Sequence, residues 1–331
     1  MMGTGEAAQG QIVQGTIAQE IEPRLPHDGI GGAAVAVRID GRTLFFNYGS
    51  ADIAQKRPIT SDSLFNVASI RKVFEATVVA QAFAQSDLAF DDPVSRYVTE
   101  LQQGGDIRRV TVGQLATHTS GLLLPADHPP WVTQPYTLAE FIRTLNDWKL
   151  SEGQEPGRQR IYTHGGYVLL QLVLERRFGR PIAALLDDQV IAPLGLSSTM
   201  VPPRAPDGRA ELAPALMSRA VQGYAENGEP VGKPGDQQTY YDFPGTGQMF
   251  SSAGIWRPYW PPTLANGRPI RRYVRPCNSR SVLFSRLMRV TLRRWHGRSR
   301  TTTGSSSWTN PAVSTIRRPI SASFLPRSLA L

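Results

Sequence analysis

Phe65-Asn66-Val67-Ala68-Ser69-Ile70-Arg71-Lys72 is the stretch that decides the reading of this chain. A serine stands three residues before a lysine, inside a helical pattern that runs from Val67 to Gln85. Residues three apart share a helix face, so this spacing sets an amine beside a hydroxyl. A serine hydroxyl is a weak nucleophile and needs a neighbouring base. Burial in a cleft favours the neutral amine of a lysine and fits it for that work. The chain has four lysines, and Ser69/Lys72 is its single Ser-x-x-Lys match.

The flanking sequence places this helix in a larger plan. Val13, Ile17 and Ile21 recur at helical spacing, and Pro23 and Pro26 end that first helix. Residues 33–39 and 43–48 are β-rich runs around Asp40-Gly41, a hairpin signal. Asp91-Asp92-Pro93 opens a new element. Thr111 caps a short helix over 112–117 that stops at Ser120-Gly121. Residues 167–178 form an apolar helix closed by Gly179 and Pro181. Residues 221–230 read as a hairpin around Asn227-Gly228. The order is sheet, helices, then sheet again. It predicts an α/β fold, an antiparallel sheet flanked by helices with an all-helical domain inserted. The α/β part is expected over 1–80 and 211–254, and the helical part over 81–210.

Composition narrows the function classes. No apolar run is long enough to span a membrane. Met1-Met2-Gly3-Thr4-Gly5-Glu6 lacks the basic and apolar regions of a secretory signal. Cys277 is the single cysteine, so no intramolecular disulfide forms. The five histidines, His118, His128 and His164 among them, have no metal-ligand spacing, and neither metal nor cofactor is expected.

Four stretches then converge: Ser69-Ile70-Arg71-Lys72; Leu115-Ala116-Thr117-His118-Thr119-Ser120-Gly121-Leu122; Tyr162-Thr163-His164-Gly165-Gly166-Tyr167; and Ala192-Pro193-Leu194-Gly195-Leu196-Ser197-Ser198-Thr199-Met200. In this order and spacing they resemble the serine β-lactamase and penicillin-binding-protein superfamily, in its class C branch. Phe46-Asn47-Tyr48-Gly49 and Asp92-Pro93-Val94-Ser95-Arg96-Tyr97 add to the resemblance, which covers roughly residues 10 to 254.

The resemblance implies an acyl-serine mechanism on β-lactams. Ser69 is the nucleophile, and its backbone N–H at a helix N-terminus helps hold the oxyanion. Lys72 eases deprotonation of Ser69. Tyr162 relays a proton to the leaving nitrogen and then activates the deacylating water. His164 stands where the family has an asparagine of its Tyr-x-Asn motif, which makes it a substrate-binding candidate with imidazole rather than amide geometry. His118 is expected to be structural, fixing a helix end by side-chain hydrogen bonds.

The resemblance breaks off near Gly254. The family has a Lys-Ser/Thr-Gly strand that binds the substrate carboxylate, and the 331 residues contain no such triplet. Lys233-Pro234-Gly235 lacks the hydroxyl and the N–H, and Gly245-Thr246-Gly247 lacks the lysine. Residues 255–331 hold fifteen arginines and no Lys, Asp or Glu, whereas residues 1–254 carry 21 basic and 27 acidic groups, a net −6. Written as ATA TGG CGG, Ile255-Trp256-Arg257 reads Asp-Met-Ala when the frame begins one base earlier, as the family's pattern continues. With chosen codons, residues 308–315 give Val-Asp-Lys-Pro-Gly-Gly-Leu-Asn in that same frame. The tail is therefore read as out-of-frame sequence, the last strands of the sheet are expected to be missing, and the chain as written is expected to turn over little substrate.

Two other functions compete with the β-lactamase reading. One is a D,D-peptidase acting on cell-wall peptides, or an esterase, on the same scaffold. The other, of a different class, is nucleic-acid binding through the basic tail. That tail lacks sustained periodicity or a recognised nucleic-acid module, so no nucleic-acid partner is expected. A monomer acting on a small molecule is the expectation. The family suggests a periplasmic location, at odds with the signal-free N-terminus.

Overall fold

The computed structural model describes residues 4–39, 42–125, 137–202, 212–225, 227–235, 247–255 and 329–330. Helix α1, Thr4–Ile21, precedes strands β1, Gly32–Ile39, and β2, Arg42–Asp52, which pair antiparallel from Gly32↔Gly49 to Ile39↔Arg42. That register brackets the predicted Asp40-Gly41 turn, whose two residues lie outside the described ones. Strand β3, Arg57–Pro58, extends the sheet beside β2.

Side chains alternate across a strand, and β1 uses both faces. Ala33, Val35 and Val37 pack with Ile17 and Ile21 of α1. Ala34 and Ala36 join the main core on the other side. The alternation explains why a strand this rich in small and β-branched residues sits between two apolar layers.

Strand β4, Phe65–Ala68, is separate from that sheet. It pairs antiparallel with β5, Gly247–Ser251, a segment nearly two hundred residues away in sequence. Phe65 and Val67 are buried while Asn66 and Ala68 are exposed. Helix α2 follows as Arg71–Gln85 and ends at Ser86, which is left-handed at φ 62°. The sequence reading began this helix at Val67. The ladder to β5 takes residues 65–68 instead, so tertiary pairing overrides local helical pattern and Ser69 stands just before the helix.

The predicted helical segment bears out its punctuation. Thr111 caps α3, Val112–Ala116, with Gln114 completing a reciprocal capping box. Thr137 and Glu140 do the same for α4, Leu138–Asp147. Asp92 binds the Ala89 N–H, the Arg96 guanidinium and the Tyr97 hydroxyl, which accounts for the Asp-Pro-x-x-Arg-Tyr stretch. Helix α5, His164–Phe178, is buried without a break from Gly165 to Leu174, so its pattern is continuous rather than amphipathic. Gly179 closes it at φ 64°. Gly121 has φ 71°, and a Cβ there would lie 2.1 Å from the Gln154 carbonyl oxygen, so the stop after α3 requires glycine. The short α-helices α6, Ile182–Leu186, and α7, Pro214–Met217, complete the set among the described residues.

The hairpin expected over 221–230 is a short one: Tyr224 and Pro230 form an antiparallel bridge, the Ala225 N–H bonds the Glu229 carbonyl, the Val231 N–H bonds the Gly223 carbonyl, and the Gly228 N–H closes the turn on the Ala225 carbonyl. The tail is expected not to complete the sheet; it adds one two-residue strand, as Leu329–Ala330 forms β6, parallel to β1 at Ala33 and Ala34. The open edge of β1 offers unpaired main-chain groups to any extended segment. Residues 256–328, which hold most of the tail, lie outside the described residues. Among the described residues, no helix is long and apolar enough to cross a membrane.

Candidate active site

Ser69 sits where β4 turns into α2. Ala68 is left-handed at φ 45°, a conformation that costs a residue with a Cβ. Its N–H is held by Asn66 Oδ1 at 3.0 Å. The Ile70 N–H then bonds the Val67 carbonyl and the Lys72 N–H bonds the Ser69 carbonyl. This tight turn sets Ser69 at the head of α2 and points Lys72 back over it.

Lys72 Nζ donates to Ser69 Oγ at 2.9 Å, and Tyr162 Oη donates to the same oxygen at 2.7 Å. The ammonium lies 5.0 Å from the Tyr162 ring centroid and 5.7 Å from that of Tyr167, within range of cation–π attraction. Lys72 is 5% exposed and Tyr162 is 43% exposed, so the lysine is enclosed and the tyrosine reaches solvent. The three residues named from sequence for catalysis thus meet at one oxygen atom.

His164 is beside them but not on the serine. Its ring meets Tyr162 edge-on, with centroids 5.6 Å apart. Burial, reinforced by the Lys72 charge, pushes its pKa down to about 4, so it is neutral near pH 7. His118 lies beneath the pair. Its Nδ1 accepts the N–H of Thr163, the N-cap residue of α5, which is the helix-end role expected of it.

Sequence reasoning missed the other side of α2. Arg71, adjacent to Lys72, is fully buried and turns away from Ser69. Its Nε lies 2.7 Å from Glu75 Oε1, and a terminal nitrogen donates to Gln171 Oε1 at 2.5 Å. Gln171 donates onward to Glu175 Oε1, which also accepts the Ile182 N–H. Burial pushes the Glu75 carboxyl above the usual range, against the pull of Arg71 and Lys72. Burial likewise raises Glu175. The signal was present as an Arg/Glu pair four residues apart and as a lone glutamine inside an apolar helix.

A β4–α2 turn presenting a serine to a lysine and a tyrosine, on a sheet with helices packed against it, defines a protein of the active-site-serine class. The chain belongs to the β-lactamase family, whose model matches residues 17–256. It is 31% identical over 221 residues to a β-lactamase of Pseudomonas fluorescens, a match covering 67% of this chain and 56% of that protein. A class C β-lactamase solved in complex with cefoxitin is similar with a TM-score of 0.63 at 25% identity, over 76% of this chain and 65% of that one. A β-lactamase/D-alanine carboxypeptidase from Pseudomonas syringae is similar with a TM-score of 0.58 at 25% identity, over 76% and 63% of the two chains. The chain spans about half the length of the curated relatives it matches.

Proposed function

We propose that this chain carries the acyl-transfer site of a serine hydrolase that reacts with β-lactams. The observation that carries the reading is the convergence of Lys72 Nζ and Tyr162 Oη on Ser69 Oγ, at 2.9 and 2.7 Å. In the reaction Ser69 Oγ attacks the lactam carbonyl, and its proton passes into the Lys72/Tyr162 pair. Tyr162, the exposed member, returns a proton to the departing ring nitrogen and later takes one from the deacylating water. The Ser69 N–H at the head of α2 is the proposed oxyanion donor, and His164 is a proposed substrate contact. The cefoxitin complex of a similar class C enzyme supports the substrate class. A carboxypeptidase activity on D-alanyl peptides is a second reading, favoured by the similarity to the Pseudomonas syringae protein.

Mass spectrometry after exposure to a penicillin tests the site. One adduct, on the Ser69 peptide and absent from Ser69→Ala, is expected. An adduct that persists in Ser69→Ala removes Ser69 from the reaction. Nitrocefin turnover set against D-alanyl peptide turnover separates the two readings.

We further propose that residues 255–331 are an out-of-frame product and that the α/β part consists of 1–80 and 211–254 around the helical segment. The family match ends at residue 256, and no acidic residue follows Asp242. Sequencing the gene around codon 255 decides this. An intact frame in related genes, shifted by one base from this one, is expected. In line with the family, a periplasmic monomer is proposed for the complete enzyme.

A further inference from the structure

We propose that His118 is a positioning residue that holds the Tyr162 hydroxyl on Ser69 by gripping the chain on both sides of Tyr162. This rests on the reading of Ser69 as nucleophile and adds to it a residue that touches neither substrate nor serine.

The grip has three parts. The His118 carbonyl accepts the Ile161 N–H at 2.8 Å, one residue before the tyrosine. Its Nδ1 accepts the Thr163 N–H at 3.4 Å, one residue after. Its ring then lies against two phenols, 4.6 Å from the Tyr162 centroid and 4.7 Å from that of Tyr167. Tyr167 is itself pinned, because its hydroxyl donates to the Ala116 carbonyl at 3.0 Å. A residue fixed before, after and along its ring has little freedom to swing. Tyr162 needs that restraint, because its exposed side chain owes its position to no surrounding core.

The backbone of His118 is left-handed, at φ 58°. A bulky residue adopts this region at a cost, and such cost persists where the surroundings demand the geometry. Here the left-handed turn directs the carbonyl and the imidazole of one residue at two amides of the segment that leads into α5. Glycine would supply the turn without strain but neither acceptor nor ring wall.

The imidazole serves as an acceptor only while neutral, with its proton on Nε2. Burial, with Arg160, Lys72 and His164 adding positive or potentially positive charge nearby, pushes its pKa down to about 3. The grip therefore survives across the pH range in which a hydrolase works, and a neutral ring adds no charge beside Lys72. The other titratable groups facing it are the phenols of Tyr162 and Tyr167.

A structural cap of α5 would explain the Thr163 bond alone, and the test separates the two roles. The full chain is labelled at tyrosine 13Cζ, and the Tyr162 resonance is assigned by its loss in Tyr162→Phe. In the unmodified chain Ser69→Ala should move the Tyr162 signal, because it removes the hydrogen-bond partner. With His118→Phe, which keeps a ring and loses the acceptor, that response should vanish. His118→Asn keeps a residue tolerant of left-handed φ and loses the ring wall, so it serves if the Phe variant does not fold. It should also lose the response. An undiminished Ser69→Ala response in a folded His118 variant overturns the proposal, whether or not the chain turns over substrate. Failure of the unmodified chain to acylate, with the response intact, counts against the function and leaves the positioning role standing. Where acylation occurs, either His118 variant should slow it roughly 10–100-fold with KM little changed. The same change in a Tyr162→Phe background should cost nothing more. Additive losses in that pair would overturn the proposal as well.

Discussion

The two sides of the first turn of α2 hold adjacent basic residues in opposite circumstances. Lys72 faces a serine and two phenols, and it has no carboxylate within hydrogen-bond contact among the described residues. Arg71 is fully buried and faces the Glu75 carboxylate and the Gln171 amide. Arginine keeps its charge under any burial and makes planar, forked bonds, so it suits a permanent structural pair. Lysine is a compact charge whose protonation shifts with its surroundings, so it suits proton transfer. Exchanging the two would place a fixed cation on the nucleophile and a titratable one in the core. The lesson is that net charge on a helix turn says little; the partner of each charge decides what it does.

The largest effect expected lies on the Lys72 side. Lys72→Ala and Tyr162→Phe should each lower acylation by roughly 10²–10⁴-fold, as for a lost proton-transfer group. The double variant should fall little further, because the two act as one unit. Stopped-flow nitrocefin kinetics on the full chain and on a frame-restored chain check this. Near-normal rates in both singles would erase the contrast between the two sides.

The Arg71 side should answer in stability instead. Glu75→Leu leaves Arg71 buried without its carboxylate and should cost about 3–5 kcal/mol in urea unfolding. Arg71→Met/Glu75→Leu removes both charges and should come within about 1 kcal/mol of the parent or exceed it. A double variant as weak as the single would mean that the pair does more than satisfy itself.

Acid sharpens the comparison next. His118 and His164 titrate near 3 and 4 in the folded protein against 6.5 when free. Between those values the unfolded chain binds more protons, so stability falls as pH drops from 6.5. At pH 4 the loss is roughly 3 kcal/mol for each histidine. Urea midpoints at pH 7 and pH 4 measure it, and His118→Asn should flatten the slope. A small effect remains for the helix cap below the site. Thr163→Ala removes the oxygen that accepts the Gly166 N–H and should cost about 1 kcal/mol by thermal unfolding.

Much of this was legible in sequence for identifiable reasons. Capping residues such as Thr111 announce a helix start by chemistry that acts within one turn, and Gly179 announces a stop the same way. The Ser69/Lys72 spacing is equally local. Tyr162 came instead from the order of motifs, since nothing local shows that a residue 93 positions away reaches the same oxygen. What escaped was decided by distant pairing. Val67 and Ala68 have helical neighbours on one side, but the ladder to residues 247–251 makes them a strand. His118 carried a visible helix-end role, whereas its grip on 161–163 depends on a left-handed turn that histidine does not advertise. Arg71 and Gln171 lie a hundred residues apart, and only the crossing of α2 and α5 joins them.

That crossing also bears on how such a chain can change over generations. Losing Glu75 takes the carboxylate from a buried Arg71, and losing Arg71 takes the cation from a buried Glu75, so single substitutions at either position lead downhill. A lineage leaves this arrangement by altering both together or stays in it. Because Arg71 also holds Gln171, α2 and α5 form one heritable block. A recombinant that takes one helix from a relative without the pair and the other from this chain inherits half of a lock. Breakpoints between the two helices should therefore be rare among functional chimeras.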